Sequence, residues 1–176
     1  MDRKELHTLQ SPLKKEYLKF PQKALITLEA EGKIGDDVTC QIITGKSPVK
    51  AGLHPATGGK KGAAACSGDM LLEALAACAG VTMGAVATSM KIHIRSGTVL
   101  AEGDIDFRGT LGVSREAPVG FKNIRLHFDL DTDAPNDKIA KLVELTERYC
   151  VVFQTLNRKP DFEISYEIKN SPSLTG

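Results

Sequence analysis

A chain of 176 residues has the length of one domain and can bury a core without disulfides or metals. Apolar residues make up 41% of it and charged residues 26%, which is an ordinary balance for a globular protein. The formal net charge of +1 gives no strong field for nucleic acid or an anionic membrane, so neither is expected as a partner. The polar start, MDRKELHTLQ, carries no secretory signal, and the protein is predicted to be soluble and cytoplasmic.

The N-terminal third predicts a helical arm followed by a hairpin. Ser11 can cap a short helix over residues 11–20, with Pro12 at its first position and Pro21 ending it, so residues 1–22 form an N-terminal arm. Alternating apolar residues then predict strands at 24–32 and 36–44, joined by a turn at KIG. Cys40 shares one face of the second strand with Val38 and Ile42, which predicts a core position.

The middle of the chain predicts a long loop and then a long helix. Residues 45–68 are rich in Gly, Ala, Lys and Pro, and their TGGKKG lacks the phosphate-binding pattern, so the lysines are expected on a solvated rim. Ser67 or Asp69 can cap a helix that runs from about Asp69 to Met90. Apolar residues on every side of this helix predict burial all round. A ridge of small residues on it predicts close packing against another backbone: Ala76, Gly80, Gly84 and Ala87.

The last third predicts a second hairpin, a helix and a final strand. Alternation favours strands at 97–111 and 121–130, connected through APVG. A helix at 135–150 carries one stripe of Ile139, Leu142, Val143 and Thr146, and a short helical piece follows at 151–156. DFEISYEI predicts a strand at 161–168, before a frayed tail at 169–176. The class is α+β, with one domain over residues 23–168.

The chain has four cysteines, which could serve in thiol chemistry, in metal binding or in packing: Cys40, Cys66, Cys78 and Cys150. Cytoplasmic thiols stay reduced unless they are catalytic, and no CxxC pair or common zinc spacing is present. Thiol chemistry is therefore favoured over a metal site, while plain packing as small apolar side chains remains the alternative. If the helices that carry Cys78 and Cys150 pack together, these two thiols could meet, a point that sequence alone leaves open.

Two segments, SGDMLLEALAACAGVTM and LTERYCVVFQTL, resemble the osmotically inducible protein C (OsmC) and organic hydroperoxide resistance (Ohr) family. The resemblance implies an OsmC-like fold, with antiparallel sheets around a long buried central helix, in an intertwined homodimer whose subunits share their active sites. It also implies oxidative-stress defence by thiol-dependent reduction of organic hydroperoxides, without a cofactor and with a dithiol as reductant. Carried over, Cys78 is the peroxidatic thiol and Cys150 the resolving thiol.

The chain departs from the family pattern at the groups that hold the thiolate. Family peroxidases use an Arg near the N-terminal strands, braced by a Glu ten residues before the first Cys. Here no Arg occurs between Arg3 and Arg95, Gly68 takes the Glu position, and CVV replaces the frequent CPV. The candidates for stabilising the thiolate are therefore other groups: His54, Asp69 and Arg148. We expect a Lys or His of the loop at 45–68, with His54 as the leading choice, to approach Cys78 from its own or the partner subunit.

Two functions stay open at this point. The cysteine pair favours a hydroperoxide reductase. The missing Arg and Glu favour a non-enzymatic OsmC-like dimer, which binds a small apolar ligand or acts as a redox sensor. Cys66, just before the long helix, is a possible third redox thiol.

Overall fold

The computed structural model describes residues 2–27, 32–35, 39–44, 47–62 and 64–168, and for 32–35, 39–44 and 47 it describes the backbone only. The side chain of Cys40 therefore lies outside the described residues, and its place in the core stays a prediction. The predicted tail after residue 168 lies outside them as well.

The N-terminal helix α1 spans Arg3–Lys19 and starts well before the predicted position. Asp2 caps it, because its carboxylate accepts from the Glu5 N–H at 2.8 Å, and the Asp2 N–H in turn donates to the Glu5 carboxylate at 2.7 Å. Pro12 consequently lies inside the helix, where it removes one backbone hydrogen bond from an element without buried residues. The predicted end is confirmed, since Pro21 follows the last turn and opens a 3-10 turn.

Within the described residues, the first sheet has four strands in chain order, with β1, β2 and β3 antiparallel and β4 parallel to β3. Their bounds are β1 Gly32–Gly35, β2 Thr39–Thr44, β3 Ser47–Gly52 and β4 Ala65–Cys66. The predicted KIG turn is itself strand β1, and residues 25–27 are not in a strand.

The predicted loop at 45–68 is wrong in part, because it contains β3 and β4. Strand β3 includes Pro48, opposite Ile43, and ends in a glycine, so its sequence carries little strand signal. Its pairing partner β2 decides its conformation.

The central helix α2 spans Ser67–Met90, two residues longer than predicted. Its N-cap is Cys66, without a side-chain capping hydrogen bond, so the predicted caps Ser67 and Asp69 lie inside the first turn. The C-cap of the helix is Lys91, whose backbone is left-handed (φ 60°). Its N–H donates to carbonyl oxygens of the last turn.

The sequence predicted that α2 is buried on every side, and within one chain this prediction is wrong, because only one stripe of the helix is buried. The buried stripe is Leu75, Ala79, Met83 and Ala87, offset by one residue from most of the predicted small-residue ridge. We call the opposite surface the exposed α2 face; its apolar members are Leu71, Ala74, Ala77, Val81 and Gly84. By length and composition α2 could cross a membrane, but one stripe of it is buried in the core of this chain.

The second sheet is the antiparallel hairpin of β5 (Ser96–Ile105) and β6 (Phe121–Asp131), as the alternation predicted. Its inward side chains pack on α2, while the outward ones are exposed. The predicted extension of the first strand to residue 111 is wrong, because Asp106 accepts from the Arg108 N–H at 3.2 Å and starts the short helix α3 (Phe107–Thr110).

Helices α4 (Asn136–Tyr149) and α5 (Val151–Asn157) confirm the two predicted helical segments. The predicted stripe of α4 faces the core, since Leu142 and Thr146 are fully buried. Of the described residues, 161–168 form no strand, against the prediction. Four alternating apolar side chains there are between 76% and 92% exposed: Phe162, Ile164, Tyr166 and Ile168.

The core of the chain lies along α2 in two clusters. The first is centred on Met83, Ala87 and Leu142, where α4 crosses the C-terminal half of α2. The second is centred on Leu75, Ala79 and Cys150, where the hairpin and the start of α5 meet the N-terminal half. A cysteine therefore sits at the centre of the second cluster.

Candidate active site

Two elements bring two cysteines together in the second cluster. Cys78 lies on α2, one residue before the fully buried Ala79, whose small side chain allows α5 to approach closely. Cys150 is the single residue between α4 and α5. The two residues lie in one packed cluster, and both thiols are free.

The two thiols differ in access to solvent. Cys150 is 1% exposed, whereas Cys78 is only partly buried. A molecule that arrives from solution therefore reaches the Cys78 sulfur first.

The pKa of Cys78 lies below the ordinary cysteine value. Partial burial by itself raises it, but hydrogen bonds from the N–H groups of Val152 and Val151 and from the Cys150 thiol outweigh that effect. The Thr82 hydroxyl also lies near the sulfur, yet it donates its one proton to the Cys78 carbonyl oxygen at 2.7 Å. We therefore assign the lowered pKa to the backbone N–H groups and to Cys150.

The pKa of Cys150 is raised, first because the thiol is buried and then because the Cys78 thiolate lies beside it. The Phe153 N–H, which donates to the Cys150 sulfur at 3.5 Å, acts in the opposite direction without cancelling this. The pair therefore titrates in order, with Cys78 losing its proton first and Cys150 remaining the donor.

The described interactions of the His54 ring are with Phe107 and Ala56. The ring stacks on Phe107, with centroids 4.8 Å apart, and its Nδ1 accepts from the Ala56 N–H at 3.1 Å. The contact with Cys78 that the sequence predicted, from the same subunit or a partner, stays a prediction.

The other candidates also lie apart from the thiol pair. Asp69 is exposed in the first turn of α2, and the Arg148 guanidinium lies over the ring of Tyr149, 5.5 Å from its centroid. Cys66 stands twelve residues before Cys78 at the start of the same helix, about 18 Å along its axis at 1.5 Å per residue. Among the described residues, no group of three or more His, Cys, Asp or Glu could hold a metal.

Sequence reasoning missed the donors that act on Cys78, the N–H groups of Val151 and Val152. Backbone donors leave no signature of residue type. One signal was present, because a proline after the second cysteine, frequent in the family pattern, has no N–H to give, whereas Val151 has one.

A sequence model described as OsmC-like protein matches residues 58–165, which include both thiols. The chain belongs to the OsmC-like family. Comparison with curated proteins found no match. This OsmC-like protein also shares its fold with solved structures of low sequence identity.

One such structure is an OsmC-like protein from Mycoplasma pneumoniae, at 17% identity and a TM-score of 0.63, with 75% of this chain and 88% of that one covered. A second is an organic hydroperoxide resistance protein from Elizabethkingia anophelis, at 18% identity and a TM-score of 0.61, with 77% and 91% covered. A third, from Legionella pneumophila, is also named an organic hydroperoxide resistance protein, at 20% identity and a TM-score of 0.57, with 75% and 90% covered. These likenesses show the OsmC-like fold.

Proposed function

We propose that this OsmC-like protein reduces organic hydroperoxides with the Cys78 and Cys150 pair and so serves in oxidative-stress defence. The observation that carries the proposal is that the two cysteines lie in one packed cluster, where the more accessible thiol has a lowered pKa and the buried thiol a raised one. The names of two structural neighbours, organic hydroperoxide resistance proteins, agree with this activity.

In the first step the Cys78 thiolate attacks the terminal oxygen of ROOH. The S–O bond forms as the O–O bond breaks, RO⁻ leaves and takes a proton from water to become ROH, and Cys78 becomes a sulfenic acid. The lowered pKa supports this step, because the thiolate is the nucleophile.

In the second step Cys150 attacks the Cys78 sulfenic sulfur, forming a disulfide and releasing water. The Cys78 charge that raised the pKa of Cys150 has disappeared by then, so the resolving thiol deprotonates more easily after the first step than before it. A dithiol reductant then restores both thiols by exchange through a mixed disulfide.

The surroundings of the pair suit an alkyl or aryl hydroperoxide. Val152 and Phe153 are half-buried and pack on the cluster that holds the thiols. Apolar walls favour a substrate with an apolar R group over hydrogen peroxide.

The proposed active form is a homodimer. The exposed α2 face is an apolar surface on the central helix, and the alternating segment at 161–168 has its apolar side chains in solvent. A second copy of the chain would cover the helix face and supply a strand partner for the segment, and it could bring a loop cation to Cys78.

The test counts thiols with Ellman's reagent after addition of one equivalent of cumene hydroperoxide to the reduced protein. The parent is expected to lose two thiols per chain, Cys78→Ser none, and Cys150→Ser one, with a sulfenic or overoxidised Cys78 detected by mass spectrometry. Cys66→Ser is the matched control and should behave as the parent. Retention of all thiols by the parent would exclude the reductase and leave the ligand-binding dimer as the function.

A further inference from the structure

Thr82 lies one turn after Cys78 on α2, on the same face of the helix. Side chains of a helix lean towards its N-terminus, so the Thr82 side chain extends over the turn that carries the thiol. Its hydroxyl donates to the Cys78 carbonyl oxygen at 2.7 Å and lies near the Cys78 sulfur. One hydroxyl group therefore has two acceptors of the same residue close to it.

The Cys78 carbonyl does not depend on this hydroxyl. Inside an α-helix the N–H of residue 82 donates to the carbonyl of residue 78, and both positions lie well within α2. The hydroxyl is thus a second donor to an oxygen that already has one. If the hydroxyl proton turns away about the Cβ–Oγ1 bond, the carbonyl keeps its helical hydrogen bond and is not left without a partner.

The charge on the sulfur decides which acceptor is the better one. A neutral thiol is a weak acceptor, so the hydroxyl bonds to the carbonyl, as in the structure. A thiolate carries a full charge, and hydrogen bonds to charged acceptors are about twice as strong as neutral ones. Thr82 and Cys78 are both partly buried, which limits the competition from water for that charge.

We propose that Thr82 is a positioning residue for the Cys78 thiolate, to which it turns its hydroxyl proton once the thiol is deprotonated. It acts beside the backbone N–H groups that reach the same sulfur from the start of α5. Among the groups that act most strongly on the pKa of Cys78, Cys150 is the titratable one, and it stays protonated when Cys78 ionises. The role of Thr82 in peroxide reduction rests on the proposed function, whereas its effect on the thiolate does not.

The experiment measures the rate of Cys78 alkylation by iodoacetamide against pH in the reduced full-length protein, by mass spectrometry of the Cys78 peptide. Thr82→Val removes the hydroxyl but keeps the size and the β-branch of the side chain, and Thr82→Ser keeps the hydroxyl. The matched control is Thr88→Val. The Thr88 hydroxyl makes the same kind of bond on the same helix, to the Gly84 carbonyl at 2.8 Å, about 15 Å from Cys78 along the axis.

Thr82→Val is expected to slow alkylation at pH 6 by roughly threefold to tenfold, because loss of a donor raises the pKa of Cys78 and leaves less thiolate. The midpoint of its profile should move up by about 0.5–1 pH unit. Above both midpoints the variant should react like the parent, which a distorted helix would not do. Thr82→Ser and Thr88→Val should follow the parent throughout. A parental profile for Thr82→Val, or an equal shift in Thr82→Ser or Thr88→Val, would overturn the proposal.

Thiol loss after addition of cumene hydroperoxide separates this inference from the proposed function. If the parent keeps its thiols while the alkylation profile of Thr82→Val is shifted, the reductase is excluded and the role of Thr82 at the thiolate is supported. If the parent loses two thiols while Thr82→Val alkylates like the parent, the reductase is supported and the role of Thr82 is excluded.

Discussion

At the scale of single residues, backbone groups just after Cys150 lower the pKa of Cys78, an effect that the family pattern assigns to a charged side chain. The family pattern assigns stabilisation of the first thiolate to an arginine that this chain lacks, and yet the pKa of Cys78 is lowered. N–H groups at the start of α5 and the neighbouring thiol supply the hydrogen bonds. Charge-assisted hydrogen bonds of this kind are roughly twice as strong as neutral ones, so a few can replace an ion pair.

Val151→Pro is predicted to slow alkylation of Cys78 by iodoacetamide at pH 6 by roughly threefold to tenfold, because one N–H donor to the thiolate is lost. A lowered pKa keeps thiolate present at lower pH, so loss of the donor moves the alkylation profile towards higher pH. Proline suits the first position of α5, and Cys150 before it is already extended, with φ −73° and ψ 110°. Mass spectrometry of the Cys78 peptide measures the rate.

Val151→Ala is the matched control for this substitution. The Val151 side chain is 69% exposed, so its truncation keeps the N–H and removes little packing. It should react like the parent. If alanine and proline variants have the same alkylation profile, the Val151 N–H does not stabilise the thiolate.

At the scale of elements, α2 and α4 form the support on which the site rests. Leu142 of α4 is completely buried against Met83 and Ala87 of α2. Cys150 is the first residue after the end of the same helix. Packing in the first cluster therefore positions Cys150 in the second.

Leu142→Ala is predicted to lower the free energy of unfolding by about 2–5 kcal/mol, because it removes buried methyl groups and leaves a cavity. Urea unfolding at one fixed protein concentration measures the change. Leu111→Ala, at a side chain 54% exposed outside both core clusters, should change it by less than about 1 kcal/mol. Equal losses in the two variants would argue against Leu142 as a core residue.

At the scale of the whole molecule, one chain leaves the central helix incompletely covered. Val81 on the exposed α2 face is 76% exposed, although α2 is the most apolar long element of the chain. This apolar face lies on the helix that carries Cys78, and the proposed dimer would cover it with a second copy of the chain.

Val81→Glu is predicted to convert a dimeric parent to a monomer, because a carboxylate in an apolar interface loses its hydration without gaining a partner. Multi-angle light scattering at micromolar concentration measures the mass. Val113→Glu is the control, at a side chain 72% exposed in the connection between α3 and β6, and it should stay dimeric. A monomeric parent, or a dimeric Val81→Glu, would show that this face is not the interface.

The sequence alone determined those parts of the fold that rest on local periodicity. The stripe on α4, the alternation of β5 and β6 and the extent of α2 follow from which side chains share a face, and covalent geometry determines that. The two cysteine segments also indicated the family that the match over residues 58–165 shows.

Tertiary structure decided what depends on residues distant in the chain. Pairing with β2 makes a strand of a segment with Pro48 in it, and packing of α5 on α2 directs the Val151 N–H to Cys78. The strand pairing has no local signature, and for the backbone donor the sequence shows only that position 151 is not proline and so keeps its N–H. The pKa values of the two thiols therefore depend on contacts that only the folded chain makes, whereas the sequence alone identified the two cysteines.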